Sequence, residues 1–175
     1  LGDATEALLL LIETDQRKAR AHAENCNEMN TKRQVVQAGV LKEARAAVEE
    51  QLRKGNPEVL VVGAEGWHAG VVGIVAAKLV DIYNRPAVVI AFDDQVGRGS
   101  ARSAQGFHLY QGLHGVASLL LRYGGHAAAA GLSVHVDNLA PLRESLCTAY
   151  RQQLGERLAS TDVNVDATVT LDEID

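Results

Sequence analysis

The chain has 175 residues, of which 47% are hydrophobic, 22% are charged and 4% are aromatic, and its net charge is −5. These values are typical of a soluble protein with one globular domain and some attached segments. They exclude a bilayer-spanning helix, because the longest apolar runs, such as 7–12, are far too short. The few aromatic residues also argue against a nucleic-acid platform built from many stacked rings. Cys26 and Cys147 lie far apart, so we expect reduced thiols in a cytoplasmic protein rather than a disulfide or a zinc site.

The first third of the chain is predicted to be helical. Residues 1–15 form a short helix, and Asp15 begins a long helix to about Lys54, because good helix formers dominate this segment. Apolar residues follow helical spacing in its second half, whereas 15–34 is polar, as in a solvated helix that bridges two bodies. Gly55-Asn56-Pro57 ends the helix.

Strands and helices alternate after this long helix. We predict strands at 58–63, 87–92, 97–103 and 132–136 and helices at 69–83, 108–123 and 138–158. This alternation predicts a small α/β domain with a central β-sheet flanked by helices. A last alternating run at 164–171 predicts a strand without a partner in this chain, which would open a further β domain.

The first stretch with chemical potential is Gly66-Trp67-His68-Ala69-Gly70-Val71-Val72-Gly73. It lies between a predicted strand and a predicted helix, where backbone N–H groups and the helix dipole favour an anion. Trp67 is the only tryptophan and is either a stacking or a packing anchor. The pattern is neither a P-loop nor a dinucleotide fingerprint. The alternative is close helix–sheet packing through the glycines.

The second stretch is Arg98-Gly99-Ser100-Ala101-Arg102-Ser103. Strand alternation places Arg98, Ser100 and Arg102 on one face, where two guanidinium groups and a hydroxyl suit phosphate oxygens. The alternative is a solvated strand with ordinary surface arginines.

The third stretch is Gly124-Gly125-His126, followed by Ala127 to Gly131. The two glycines permit conformations that side chains forbid, and the small residues let a ligand approach closely. His126 can donate to a phosphate or act as an acid or base near neutral pH, or it is a structural histidine.

The charge distribution separates this central region from the acidic ends. Residues 95–136 contain no Asp or Glu, but they contain Arg98, Arg102 and Arg122. This locally positive segment suits nucleic acid, although a Gly- and Ala-rich segment can also lack acids by chance. Asp93-Asp94 has no histidine partners and is typical of a turn, so no metal constellation is predicted. The chain can therefore hold phosphate but has little with which to activate water.

These motifs together resemble the DHHA1 domain of the RecJ-type single-strand exonucleases, a family of the DHH phosphoesterase superfamily. The resemblance is carried by the three stretches above and by Arg85-Pro86 between the first two, in this order and spacing. It implies four parts: 1–15 as the tail of a DHH catalytic domain absent here, 16–57 as a long connecting helix, 58–160 as the DHHA1 domain, and 161–175 as the start of a truncated OB-type domain.

The resemblance also implies the function. The parent protein would be a 5′-to-3′ single-stranded-DNA exonuclease of DNA repair and recombination, with Mn²⁺ or Mg²⁺ bound by the DHH domain. This chain alone would bind single-stranded DNA, hold no metal and carry no catalytic residue. Its partners would be DNA and the two absent domains, with no membrane involved. The alternatives are the DHHA1 domain of an oligonucleotide or cyclic-dinucleotide phosphodiesterase, an RNA-binding module, or a purely structural role.

The resemblance assigns roles to individual residues. Ser100, Arg102 and His126 would face the DNA backbone, and Gly124 and Gly125 would let the strand approach. Further nucleic-acid contacts are expected from flanking positions, namely Arg98, Ser103, His68 and Trp67.

Overall fold

The computed structural model describes residues 4–104 and 106–155. It shows a mixed α/β fold in which one five-stranded sheet lies between helices, which confirms the predicted fold class. The helices are α1 Thr5–Ile12, α2 Gln16–Lys54, α3 Val72–Tyr83, α4 Leu109–Gly115 and α5 Leu139–Leu154. The strands are β1 Leu60–Glu65, β2 Ala87–Asp93, β3 Val96–Arg102, β4 Leu120–Gly125 and β5 Ala129–His135, and short 3₁₀ turns occupy Ala117–Leu119 and Val136–Asn138.

The long helix α2 confirms the prediction from composition. Asp15 caps it, since its carboxylate accepts hydrogen bonds from the backbone N–H groups of Arg17 at 2.9 Å and Lys18 at 3.1 Å. Its first half is largely solvated, and its buried residues are confined to the second half, where Val40, Ala44 and Val48 pack on the sheet side. Packing therefore anchors only the C-terminal half of α2 to the α/β body.

The sheet has the strand order β1-β2-β3-β5-β4. β1 and β2 are parallel and are joined through α3, whereas the other neighbours are antiparallel. β1 and β2 alternate between two cores, so Val62 and Val89 pack under α2 and α3 while Val61 and Ile90 pack under α4 and α5. Cys26 and Cys147 are both free, and burial raises the pKa of the Cys147 thiol.

The prediction of one helix over 108–123 is wrong. Helix α4 ends at Gly115, and residues 120–125 form the edge strand β4, paired with β5. Gly112, Gly115 and Val116 weaken a helix here, and the long-range pairing with β5 then decides the conformation. Other boundaries differ by a few residues; for example, β5 begins at Ala129 and α3 begins at Val72. The strand predicted at 164–171 lies outside the described residues.

The helices leave part of one sheet face open. Helix α3 packs on β2 and β3, and α2 packs on β1. Neither α2 nor α3 packs on β4 or β5 to the same extent, and β4 is largely exposed. The open face, formed by β5, β4 and the exposed part of β3 at Arg98, is therefore where the fold can receive a ligand.

Candidate nucleic-acid interface

Two exposed arginines flank a serine in a row across the open sheet face. The antiparallel register places Ser133 of β5 opposite Arg98 of β3 on one side and Arg122 of β4 on the other. Neighbouring strands lie about 4.8 Å apart, so the backbones of the two arginines are separated by roughly 10 Å. We call Arg98, Ser133 and Arg122 the arginine row.

A β-bulge directs Arg122 into this row. Leu120 pairs with Val134 on the core side, and the register shifts before Arg122, which pairs with Ser133 on the open side. Without the extra residue, Leu120 and Arg122 would share a face, because side chains alternate along a strand. The bulge thus buries Leu120 against the α4–α5 core and exposes Arg122.

The next row of the same face has almost no side chains. Ser100 of β3 pairs with Gly131 of β5, which pairs with Gly124 of β4. A Cβ atom at Gly131 would meet only the Gly99 carbonyl oxygen, at 3.9 Å, and a Cβ at Gly124 would meet nothing within 4 Å. We call Gly131 and Gly124 the glycine floor, since an elongated ligand can lie directly on the backbone there.

Arg102 and Ser100 lie beneath the first turn of α3. A Cβ atom at Gly73 would be 3.2 Å from Arg102 Nη2 and 3.4 Å from Ser100 Oγ, so a larger residue would press on both groups. Arg102 Nη1 donates to the Ala101 carbonyl oxygen at 2.9 Å, and its other N–H groups bond to no described residue. The first turn of a helix also has unpaired amides and a positive dipole end. Guanidinium, hydroxyl and helix terminus therefore converge on one point that favours an anion.

His126 has a ring orientation set by its own loop. Its backbone N–H donates to the Ala129 carbonyl at 2.8 Å, and its Nδ1 accepts from the Ala128 N–H at 3.3 Å. A neutral ring that accepts at Nδ1 carries its proton on Nε2, which is then a donor on an exposed residue. Gly125 is required beside it, because its φ is +145° and a Cβ there would clash with Ala129 and Ala130. Gly124 has no such positive φ.

Three predicted site residues occupy different settings, and two of them, Ser103 and Trp67, have their polar side-chain atoms bonded within the fold. The Ser103 hydroxyl donates to the Phe107 carbonyl, and its backbone N–H donates to Ala128, so Ser103 fastens the loop after β3. Trp67 is 8% exposed and its Nε1 donates to Glu43 at 2.8 Å, so the ring is a packing anchor between the β1–α3 loop and α2. Neither side chain offers a free group to the open face.

The third of these residues, His68, lies near Arg98, in a cavity that both residues line. It is exposed, and its Nδ1 accepts from the Gly70 N–H at 2.9 Å. It lines a cavity of about 640 Å³ together with Arg98, Glu65 and Asp93. The two carboxylates make this cavity less favourable for phosphate than the arginine row is.

The arginines of the open face form no ion pair with a described residue. Within the described chain, the arginines that form ion pairs are Arg20, Arg45, Arg53 and Arg151, whereas Arg98, Arg102 and Arg122 pair with no acid. Residues 4–104 and 106–155 also contain no group of three or more His, Cys, Asp or Glu side chains that could hold a metal ion. The three arginines without acidic partners make the open face suited to binding a polyanion.

No helix of the described residues is both long and apolar enough to cross a membrane.

Sequence reasoning missed Ser133 and the strand position of Arg122. The helix predicted over 108–123 hid the edge strand, and a bulge has no clear local signature in the sequence. It also missed a cluster of exposed rings, Tyr110, His114 and Tyr123, whose members come from two different elements.

Comparison with known proteins identifies the family to which this fold belongs. Residues 56–152 match the model of the DHHA1 domain, and the chain therefore belongs to the DHHA1 domain family. It is also similar to RecJ proteins, as its motifs predicted. The single-stranded-DNA-specific exonuclease RecJ of Bacillus subtilis (strain 168) is 38% identical over 148 residues, which cover 83% of this chain and 19% of the relative.

Solved structures agree with this similarity. RecJ from Thermus thermophilus in complex with Mg²⁺ superposes with a TM-score of 0.76 at 27% identity, covering 85% of this chain and 23% of that one. Exonuclease RecJ bound to manganese gives a TM-score of 0.72 at 28% identity, covering 86% and 37%. The chain thus spans a minor part of each relative that it matches.

Proposed function

We propose that this chain is the strand-holding part of a single-stranded-DNA-specific exonuclease. The observation that supports this most strongly is the set of three arginines without acidic partners, Arg98, Arg102 and Arg122, around a bare glycine floor on an otherwise acidic chain. The DNA backbone lies on this floor, with its phosphates between the arginines of the row. The preference for single strands is inferred from the similarity to RecJ, which is a single-stranded-DNA-specific exonuclease.

Each group has a distinct task in this proposal. Arg98 and Arg122 neutralise successive phosphates along the row, while Arg102, Ser100 and the α3 terminus hold one further phosphate more tightly. His126 donates from Nε2 at the edge of the same face. His68 is a weaker contact because of the nearby carboxylates, and Trp67 and Ser103 contribute indirectly by fixing their loops.

The hydrolytic step belongs to the whole protein. The RecJ structures hold Mg²⁺ or manganese, and the described residues of this chain do not form a ligand set for such ions. We propose that the metals are held by a DHH domain of the full-length protein, which cuts from the 5′ end in DNA repair and recombination in the cytoplasm. The chain by itself binds the strand, holds it in register and does not cleave it.

The test is fluorescence anisotropy of the 175-residue chain with 5′-phosphorylated single-stranded DNA, duplex DNA and a dinucleotide, over a range of salt. We expect single strands to bind best, with an affinity that falls as salt rises, because phosphate contacts release counterions. Added Mn²⁺ is expected to cause no cleavage. Tighter binding of the dinucleotide would indicate a phosphodiesterase for short substrates. Cleavage would refute the proposal that this chain holds the strand while another domain cleaves it.

A substitution sharpens this test. Arg102→Ala is expected to weaken single-strand binding about tenfold, which equals about 1.4 kcal/mol, and to reduce the salt slope by about 0.7. Arg53→Ala is the matched control, since Arg53 pairs with Glu50 on exposed α2, away from the open face. Equal effects of the two substitutions would remove Arg102 from the interface.

A further inference from the structure

The rings of Tyr110, His114 and Tyr123 form a cluster at the edge strand β4, on the opposite face from the arginine row. The centroids of Tyr110 and Tyr123 lie 6.0 Å apart, and those of His114 and Tyr123 lie 6.2 Å apart. Tyr110 and His114 are stacked, with centroids 6.3 Å apart and planes inclined by 10°. The chain has only 4 tyrosines, so this one cluster contains half of them.

The cluster is built from the inside outwards. Tyr123 is half-buried against the α4–α5 core, and its hydroxyl lies 2.8 Å from His114 Nδ1. His114 is exposed and is held in place by this contact. Tyr110, stacked on His114, remains 41% exposed. A ring that served only to close α4 onto β4 would be buried more completely, whereas Tyr110 keeps surface available to a ligand.

The position of the cluster connects it to the phosphate-binding face. Tyr123 directly follows Arg122 on the edge strand, and alternation places their side chains on opposite faces of that strand. Tyr110 directly follows Leu109, whose backbone N–H donates to Ala127 in the loop of His126 at 3.0 Å. A DNA strand that crosses the arginine row and turns over the edge strand β4 after Arg122 would therefore reach the rings on the other face.

The chemistry of the cluster suits an unpaired nucleobase. Proteins that hold single strands combine a positive groove for the backbone with aromatic side chains on which bases stack. Tyr110, His114 and Tyr123 belong to the segment 95–136, which has no acidic side chain. A paired base inside a duplex cannot present its face to Tyr110.

We propose that Tyr110, supported by His114 and Tyr123, is a stacking subsite for one base of the strand whose phosphates lie on the arginine row. This inference rests on the proposed function and deepens it, because it adds base contact to backbone contact. It accounts for single-strand preference through the chain's own residues rather than through similarity to RecJ.

The experiment compares Tyr110→Leu and Tyr110→Phe in the 175-residue chain, with an oligothymidylate and an abasic oligonucleotide of the same length. Tyr110→Leu is expected to weaken oligothymidylate binding about fivefold, the lower end of the range for one stacked base, and to leave abasic binding unchanged. Tyr110→Phe keeps the ring and is expected to match the unsubstituted chain. The loss is expected to be independent of salt, because stacking releases no counterions.

A second measurement covers the case in which Tyr110→Leu fails to fold. In the unsubstituted chain, 2-aminopurine is placed at each position of the oligonucleotide in turn, and stacking on Tyr110 is expected to quench its fluorescence at one position. Quenching at no position, or an equal loss of both oligonucleotides in Tyr110→Leu, would overturn the stacking subsite.

The two proposals fail in different ways. Unchanged oligothymidylate binding by Tyr110→Leu, together with a tenfold loss for Arg102→Ala, overturns the subsite and leaves the proposed function standing. No salt-dependent binding by the unsubstituted chain overturns both.

Discussion

Replacing Gly131 with valine separates the glycine floor's role in binding from its role in folding. The position has an ordinary strand backbone, without a positive φ, and a Cβ atom there would touch only the Gly99 carbonyl oxygen at 3.9 Å. A β-branched residue is favoured over glycine in a strand by about 0.5–1 kcal/mol, so Gly131→Val is expected to maintain or raise the free energy of unfolding. The same side chain would stand where the strand is proposed to lie, and single-strand affinity is expected to fall at least about tenfold.

Two assays on the same variant decide the matter. Thermal unfolding followed by circular dichroism is expected to show an unchanged Tm or a rise of about 2–4 °C, as about 1 kcal/mol gives in a protein of this size. Anisotropy with single-stranded DNA is expected to show the affinity loss, and Gly131→Ala is expected to lie between the parent chain and the valine variant. Unchanged affinity with an intact fold would mean that the strand does not cross the glycine floor. A lower Tm would mean that the floor is packed rather than open.

Two further predictions concern positions where the structure is closed. Gly125→Ala is expected to lower the free energy of unfolding by at least about 1–3 kcal/mol, because φ is +145° and the added Cβ would clash with Ala129 and Ala130. Urea unfolding measures this free energy, and an unchanged value would contradict the backbone geometry at Gly125. Trp67→Phe is expected to lower the free energy of unfolding by about 1–3 kcal/mol, because Glu43 loses its hydrogen-bond donor. DNA affinity measured by anisotropy is expected to be unchanged. Weaker DNA binding by a stably folded variant would show that Trp67 contacts the DNA.

The parts of the site that lie within one strand were predictable from the sequence. A strand places every second residue on one face, so Arg98, Ser100 and Arg102 were expected together, and they share one face of β3, with Arg98 exposed and the other two beneath α3. The helix break at Gly55-Asn56-Pro57 and the cap at Asp15 also depend only on nearby residues.

The parts that join different strands were not predictable in this way. The arginine row exists because β3, β5 and β4 pair in one register, and because a bulge turns Arg122 to the open face. The ring cluster likewise forms because α4 ends at Gly115, which allows β4 to run back alongside α4. The low aromatic content argued against a platform of many stacked rings, but the fold brings three rings from α4 and β4 together.

The most direct test of the account is the salt dependence of single-strand binding by the double variant Arg98→Ala/Arg122→Ala. Both arginines are exposed and lack acidic partners among the described residues, so their loss is expected to spare the fold. If each contacts one phosphate of a single strand, the slope of log affinity against log salt is expected to decrease by about 1.4 relative to the parent chain. An unchanged slope in a folded double variant would show that the arginine row does not hold the DNA backbone.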